Sequence, residues 1–139
     1  MNKALLATLA LGAAVAFAGP ASAEKLKAVL DGKSEVPATT SGGTGAADLD
    51  YDAATKKLSW KVSYSGLSGP ATAAHFHGPA ETGKNAGVAV PIPGIATSPT
   101  EGSATLTDAQ ASDLLSGKLY VNIHTAANPG GEIRGQVTK

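Results

Sequence analysis

The sequence predicts an all-β protein, an antiparallel β-sandwich or Greek-key-like barrel of about eight strands with one short helix. Three observations support this fold class. Apolar and polar residues alternate with a period of two in several short segments, and glycine, proline or other turn-forming residues separate these segments. A single segment carries the signals of a helix, so neither a helix bundle nor a parallel sheet with alternating helices is expected.

Residues 58–65, LSWKVSYS, form the clearest predicted strand, because every apolar or aromatic residue is followed by a polar one. This pattern is typical of a strand with one buried face. Trp60 lies on the apolar face and is expected to anchor the core, with ligand stacking as the alternative. The other strands are predicted over residues 25–30, 46–51, 71–77, 88–92, 103–106, 119–125 and 132–138.

Proline and a capping box refine these assignments. Pro91 places its strand at a sheet edge, since proline cannot donate a ladder hydrogen bond. Residues 34–37 are expected to continue in an extended conformation, because a proline biases the preceding residue toward the β region. The helix is predicted to begin at Thr107, which forms a T-x-x-Q capping box with Gln110, and to end at Gly117.

Composition excludes several classes of protein. The 139 residues suffice for one ordinary domain, and 11 basic residues balance 11 acidic ones. Nucleic-acid binding is not expected, because the chain has neither a basic surplus nor a basic run. Cysteine is absent, which excludes disulfides, thiolate metal sites and cysteine nucleophiles.

The N-terminus has the three parts of a signal peptide. Residues 1–3 are a short basic start, residues 4–18 are almost wholly apolar, and residues 21–23 form an A-x-A site. Residues 1–23 are therefore predicted to be removed by cleavage before Glu24, leaving a periplasmic or secreted domain over residues 24–139. A membrane anchor is the alternative, but the apolar run is shorter than the ~20 residues of a span, so no membrane span is expected after cleavage.

The three histidines of the chain suggest a metal site. His75 and His77 form an H-x-H pair on a predicted strand, where a period of two puts both side chains on one face. In the segment 119–125, His124 lies on the face opposite the aliphatic residues. If the two strands are neighbours, the three imidazoles form one cluster.

Three neutral imidazoles suit Cu²⁺ or Zn²⁺ as the ion bound, and no other cofactor is expected. The alternative is that these histidines lie on the surface or only form hydrogen bonds. No catalytic residue is assigned.

Two acidic residues, Glu132 and Glu35, each allow two interpretations. Glu132 and Arg134 share a strand face and are expected to form a surface ion pair, with anion steering by Arg134 as the alternative. Glu35 is either a charge that protects a sheet edge or a binding carboxylate, and the sequence does not separate these roles.

Four segments together resemble the CHRD domain, the module named after chordin. They follow the order of that family and extend over about residues 25–138. Phe76 is a departure, because the family usually has a smaller aliphatic residue there. The segments are Glu35-Val36-Pro37, AHFHGPA at 74–80, GKLYVNIHT at 117–125, and NPGGEIRGQV at 128–137.

This resemblance implies an extracytoplasmic β-rich domain without an assigned reaction. The main hypothesis is an exported, non-enzymatic binding domain with a Cu²⁺ or Zn²⁺ site, whose partner is an unidentified protein or small ligand. A metalloenzyme similar to superoxide dismutase is one alternative, although the chain lacks the histidines for a two-metal site and the cysteine pair of that family. A structural or adhesion module is the other.

Overall fold

The computed structural model describes residues 23–139, and the predicted signal peptide lies outside these residues apart from Ala23. Eight antiparallel strands form one nearly closed, barrel-like sheet with one short helix, as the sequence predicts. The elements in chain order are β1 (Glu24–Asp31), β2 (Thr44–Asp52), β3 (Lys57–Ser65), β4 (Ala71–His77), β5 (Val88–Pro91), β6 (Thr100–Thr105), α1 (Asp108–Leu115), β7 (Tyr120–Thr125) and β8 (Ile133–Gln136).

The strands lie side by side in the order β5-β4-β7-β8-β1-β2-β3-β6. β4 and β7 are therefore neighbours although 42 residues separate them along the chain (His77 to Tyr120). The edge position of β5 confirms the prediction from Pro91. No helix among the described residues is long and apolar enough to cross a membrane.

Alternation of side chains along the strands builds the core inside the sheet. In β1 the buried residues Leu26, Ala28 and Leu30 alternate with exposed ones. Trp60 on β3 is 4 % exposed and packs edge-on against Phe76 on β4, with ring centroids 5.3 Å apart. These two strands are not neighbours in the sheet, so the contact crosses the interior, and the prediction of Trp60 as a core residue is confirmed.

Helix α1 begins with the predicted capping box. The backbone N–H of Gln110 donates to Thr107 Oγ1 at 3.1 Å, and the N–H of Thr107 donates to Gln110 Oε1 at 3.0 Å. Gln110 Nε2 also donates to the carbonyl of Ala89 on β5 at 2.9 Å. The helix is thus tied to an edge strand of the sheet.

Three segments differ from the expectation. Residues 34–37 belong to a turn-rich loop and form no strand, because turn hydrogen bonds to the carbonyl of Gly32 fold this segment over the sheet. β6 begins at Thr100, three residues before the predicted start, since its pairing with β3 extends to Val62. β8 is shorter than predicted, although Thr138 still pairs with Lys27 through an isolated bridge.

Candidate metal centre

The pairing of β4 with β7 brings the three histidines together. His75 lies opposite Asn122, and Ala73 lies opposite His124, so His75 and His124 are diagonal neighbours. Ala74 and Phe76 point into the core, and His75 and His77 take the other face of β4. The prediction that every histidine faces away from the apolar stripe of its strand is confirmed, and the condition that the two strands are neighbours is met.

The imidazole rings form a compact triangle. His75 Nδ1 and His124 Nε2 are 3.2 Å apart, and the ring centroids are separated by 5.0 Å for His75 and His124, 5.3 Å for His75 and His77, and 6.2 Å for His77 and His124. One potential ligand atom from each residue lies within 4.8 Å of the other two. The three side chains are therefore close enough to face one ion.

Backbone carbonyls orient two of the rings. His77 Nδ1 donates to the carbonyl of Ala86 and His124 Nδ1 to that of Pro129, both at 2.9 Å. A carbonyl can only accept, so Nδ1 carries the proton in both rings and Nε2 keeps its lone pair. The buried Nε2 of His77 has no hydrogen-bond partner. Metal-binding histidines commonly show this arrangement, in which the second ring nitrogen is held by a carbonyl.

The electrostatic environment favours neutral imidazoles. Burial lowers the pKa of His75, and the neighbouring His124 and His77 lower it further. Burial also lowers the pKa of His77, which outweighs the opposite effect of its hydrogen bond to Ala86. The neutral form is the one that ligates a metal, so these side chains need not lose a proton at neutral pH to bind one.

Tyr120 stacks on the His77 ring, and Arg134 stacks on Tyr120. The Tyr120 ring lies parallel to the His77 ring, with 3° between the planes and 5.0 Å between the centroids. The guanidinium carbon of Arg134 lies 3.4 Å from the centroid of Tyr120. The Tyr120 hydroxyl also bonds to the backbone of Ala86, whose carbonyl holds His77. The orientation of His77 is thus fixed from both its face and its edge.

The chain is similar to one known protein family. The family model of the CHRD domain matches residues 26–137, which is nearly the whole described chain. The chain belongs to the CHRD domain family. No curated protein and no solved structure was found to match it. CHRD domains occur in extracellular proteins, and all three histidines lie within the matched range.

Glu132 of this CHRD domain does not form the predicted surface ion pair. Glu132 and Arg134 are 0 % and 2 % exposed, and their charged groups have different partners. The Glu132 carboxylate accepts hydrogen bonds from the side chains of Ser41, Ser68, Thr125 and Asn128, and from the backbone N–H of Ser68. Burial alone would raise its pKa, but these hydrogen bonds outweigh burial and lower the pKa to about 2. The prediction was wrong because distant loops cover both residues.

Arg134 donates instead to neutral oxygens of the loop 78–87. Its Nη1 bonds to Asn85 Oδ1 at 2.9 Å, and its Nη2 bonds to the carbonyl of Lys84. Within residues 23–139 it forms no ion pair. Anion steering by an exposed Arg134 is therefore not supported, and its guanidinium packs beneath the loop as a buried positive charge.

Glu35 does not protect a sheet edge either. It lies in the loop between β1 and β2 and is 6 % exposed. Burial raises its pKa to about 7, although the positive charge of Arg134 acts to lower it. Its Oε1 has no hydrogen-bond partner and lies under Gly131, where a Cβ atom would come within 2.5 Å of it.

Asn122 lies on the histidine face of β7, and nothing in the sequence marks it as a functional residue. Its side chain is close enough to act on the pKa of both Glu35 and His77, and its buried Oδ1 lacks a partner. The period-two pattern of β7 already put Tyr120, Asn122 and His124 on one face. The pattern did not reveal that loops bury this face of β7.

Proposed function

We propose that this CHRD domain is an exported, non-enzymatic binding domain that holds one Cu²⁺ or Zn²⁺ ion through His75, His77 and His124. The mutual approach of their ligand atoms to within 4.8 Å is the observation that carries the proposal. Membership of the CHRD family supports a binding role outside the cytoplasm. The A-x-A site before Glu24 supports export, since cleavage there would leave β1 complete.

The geometry is compatible with a single ion after a small adjustment. Nitrogens bound at ~2.0–2.1 Å in a tetrahedral site lie roughly 3.3–3.4 Å apart, so the rings would approach one another by about 1.5 Å at most. His75 would lose its hydrogen bond to His124. Its proton would leave Nδ1 for Nε2 if Nδ1 binds the ion, because only a nitrogen with a free lone pair can ligate. The hydrogen bonds of His77 and His124 to carbonyls would remain, because they use the other ring nitrogen.

Calorimetric titration of the purified protein with Zn²⁺ and with Cu²⁺ tests the proposal. We expect one ion per chain in the wild type and a loss of at least about tenfold in affinity for each of His75→Ala, His77→Ala and His124→Ala. Thr72→Ala, which changes an exposed neighbour on β4, serves as the matched control and should bind like the wild type. An absence of binding in the wild type, or equal affinity in all variants, would refute the site.

Activity assays separate the proposal from its enzymatic alternative. The metal-loaded protein would be assayed for superoxide dismutation and for ester hydrolysis, with free metal at the same concentration as the reference. A binding domain should not exceed the reference in either assay. Turnover that disappears in His124→Ala would instead favour a metalloenzyme.

A further inference from the structure

The three-histidine cluster brings no negative charge to a bound ion. Imidazole ligands are neutral, and no carboxylate of residues 23–139 joins the group of mutually close ligand atoms. The ion pairs of the described chain involve lysines elsewhere. No protein ligand in the cluster would therefore offset the two positive charges of a divalent ion.

Arg134 adds a further positive charge nearby. Its guanidinium stacks on Tyr120, which stacks on His77, and it is 2 % exposed. Its hydrogen bonds go to neutral oxygens, and it forms no ion pair within residues 23–139. The Glu35 carboxyl is close enough to interact with Asn122 and Arg134, but it is outside the group of ligand atoms. Concentrated positive charge in a partly buried site is costly unless an anion offsets it.

The site is open on one side. His77 is buried, but His75 and His124 are half-buried and reach the surface. A groove of about 340 Å³ runs beside His75, and its walls include Ala73, Pro91 and Ile92. None of its lining residues carries a charge, and most have short side chains. Of the three histidines, His75 alone lines this groove, so the groove leads to the His75 side of the cluster.

Building on the proposed function, we propose that the metal-loaded site captures a small anion as its remaining ligand. The ligand is either a free inorganic anion or a carboxylate group, and it approaches along the groove beside His75. Three protein ligands leave at least one coordination position open, and an anion there offsets the charge that the protein leaves unbalanced. The protein would then recognise its ligand by coordination to the ion and by the negative charge of the ligand.

Anion titrations of the copper-loaded protein test this inference. Sodium azide represents a free inorganic anion and sodium acetate a carboxylate group, and each is followed by the absorption and electron paramagnetic resonance spectra of Cu²⁺. Saturable changes with both anions, or with either alone, support capture and show which source the site accepts. The metal-free protein is the blank. If copper binds and neither anion changes the spectra, the inference is overturned while the proposed function stands. If copper does not bind, the proposed function itself fails.

A substitution at Ala73 provides an independent test. Ala73 lies opposite His124 and two residues before His75, on the same strand face. Ala73→Asp would place the missing negative charge beside the ion, and Ala73→Asn is its neutral control of the same shape. We expect Ala73→Asp to raise Zn²⁺ affinity at least about tenfold and to weaken azide binding to copper by a similar factor. Equal behaviour of the two variants would contradict the inference.

Discussion

At the scale of single residues, burial and hydrogen bonding decide what each acidic side chain does. Glu132 is fully buried but accepts five hydrogen bonds, and it remains charged with a pKa of about 2. Glu35 is almost as buried, but its Oε1 has no partner and its pKa is raised to about 7. The first carboxylate stabilises the fold by joining three loops, whereas ionisation of the second opposes folding.

Glu35 should therefore make the protein less stable as the pH rises. A carboxyl with an ordinary pKa of 4.5 ionises in the unfolded chain first, and the folded chain follows only near pH 7. The loss of stability begins near pH 4.5 and is complete just above pH 7, with a magnitude of up to about 3 kcal/mol. Glu35→Gln should remove this dependence, so it should unfold at higher urea concentration than the wild type at pH 8 and at a similar one at pH 4.

Glu81→Gln is the control for this experiment, because Glu81 is exposed and its substitution should leave the pH profile unchanged. Parallel urea profiles of Glu35→Gln and the wild type from pH 4 to pH 8 would show that Glu35 is ionised normally.

At the scale of elements, strand periodicity predicted most of the molecule from sequence. The alternation in β1 and β3 assigned buried and exposed faces correctly, because it depends only on local backbone geometry. In β4 and β7 it assigned the core-facing residues correctly, but loops also bury His77, Tyr120 and Asn122 on the other face. The same rule placed the three histidines on their common face. It failed at residues 34–37 and for Glu132 and Arg134, whose environments depend on loops that are distant in sequence.

Gln110 of helix α1 offers a test of whether one side chain links the helix to an edge strand. Gln110 completes the capping box through Oε1 and bonds to the Ala89 carbonyl of β5 through Nε2. Gln110→Glu keeps the acceptor for Thr107 but loses the donor to Ala89. Gln110→Ala loses both.

We expect Gln110→Ala to cost about 1–2 kcal/mol of unfolding free energy and Gln110→Glu to cost less, measured in urea. Hydrogen exchange should report faster opening of β5 in both variants. Unchanged exchange at β5 would show that α1 does not protect this edge.

At the scale of the whole molecule, a chain without cysteine is expected to be stable outside the cytoplasm through packing and buried polar networks alone. The core crosses the barrel-like sheet through Trp60 and Phe76, and Glu132 joins the loops at one end. All of these residues lie in the domain 24–139 that the predicted cleavage before Glu24 would leave.

Export itself is predicted with a defined new N-terminus. When the full chain is expressed in a secreting host, N-terminal sequencing of the exported protein should begin at Glu24. Ala23→Asp, which destroys the A-x-A site, should leave the precursor uncleaved. Exported protein that still begins at Met1 would contradict the prediction.

The central claim is that three histidines act together on one ion, and nitrogen-15 nuclear magnetic resonance of the imidazoles tests it most directly. The chain contains three histidines, so every imidazole signal comes from the candidate site. The metal-free spectrum should show the Nδ1-protonated form for His77 and His124. One equivalent of Zn²⁺ should shift one nitrogen of each of the three rings, with no further change at higher ratios. Shifts confined to one or two rings, or the absence of any shift at several equivalents, would contradict the account.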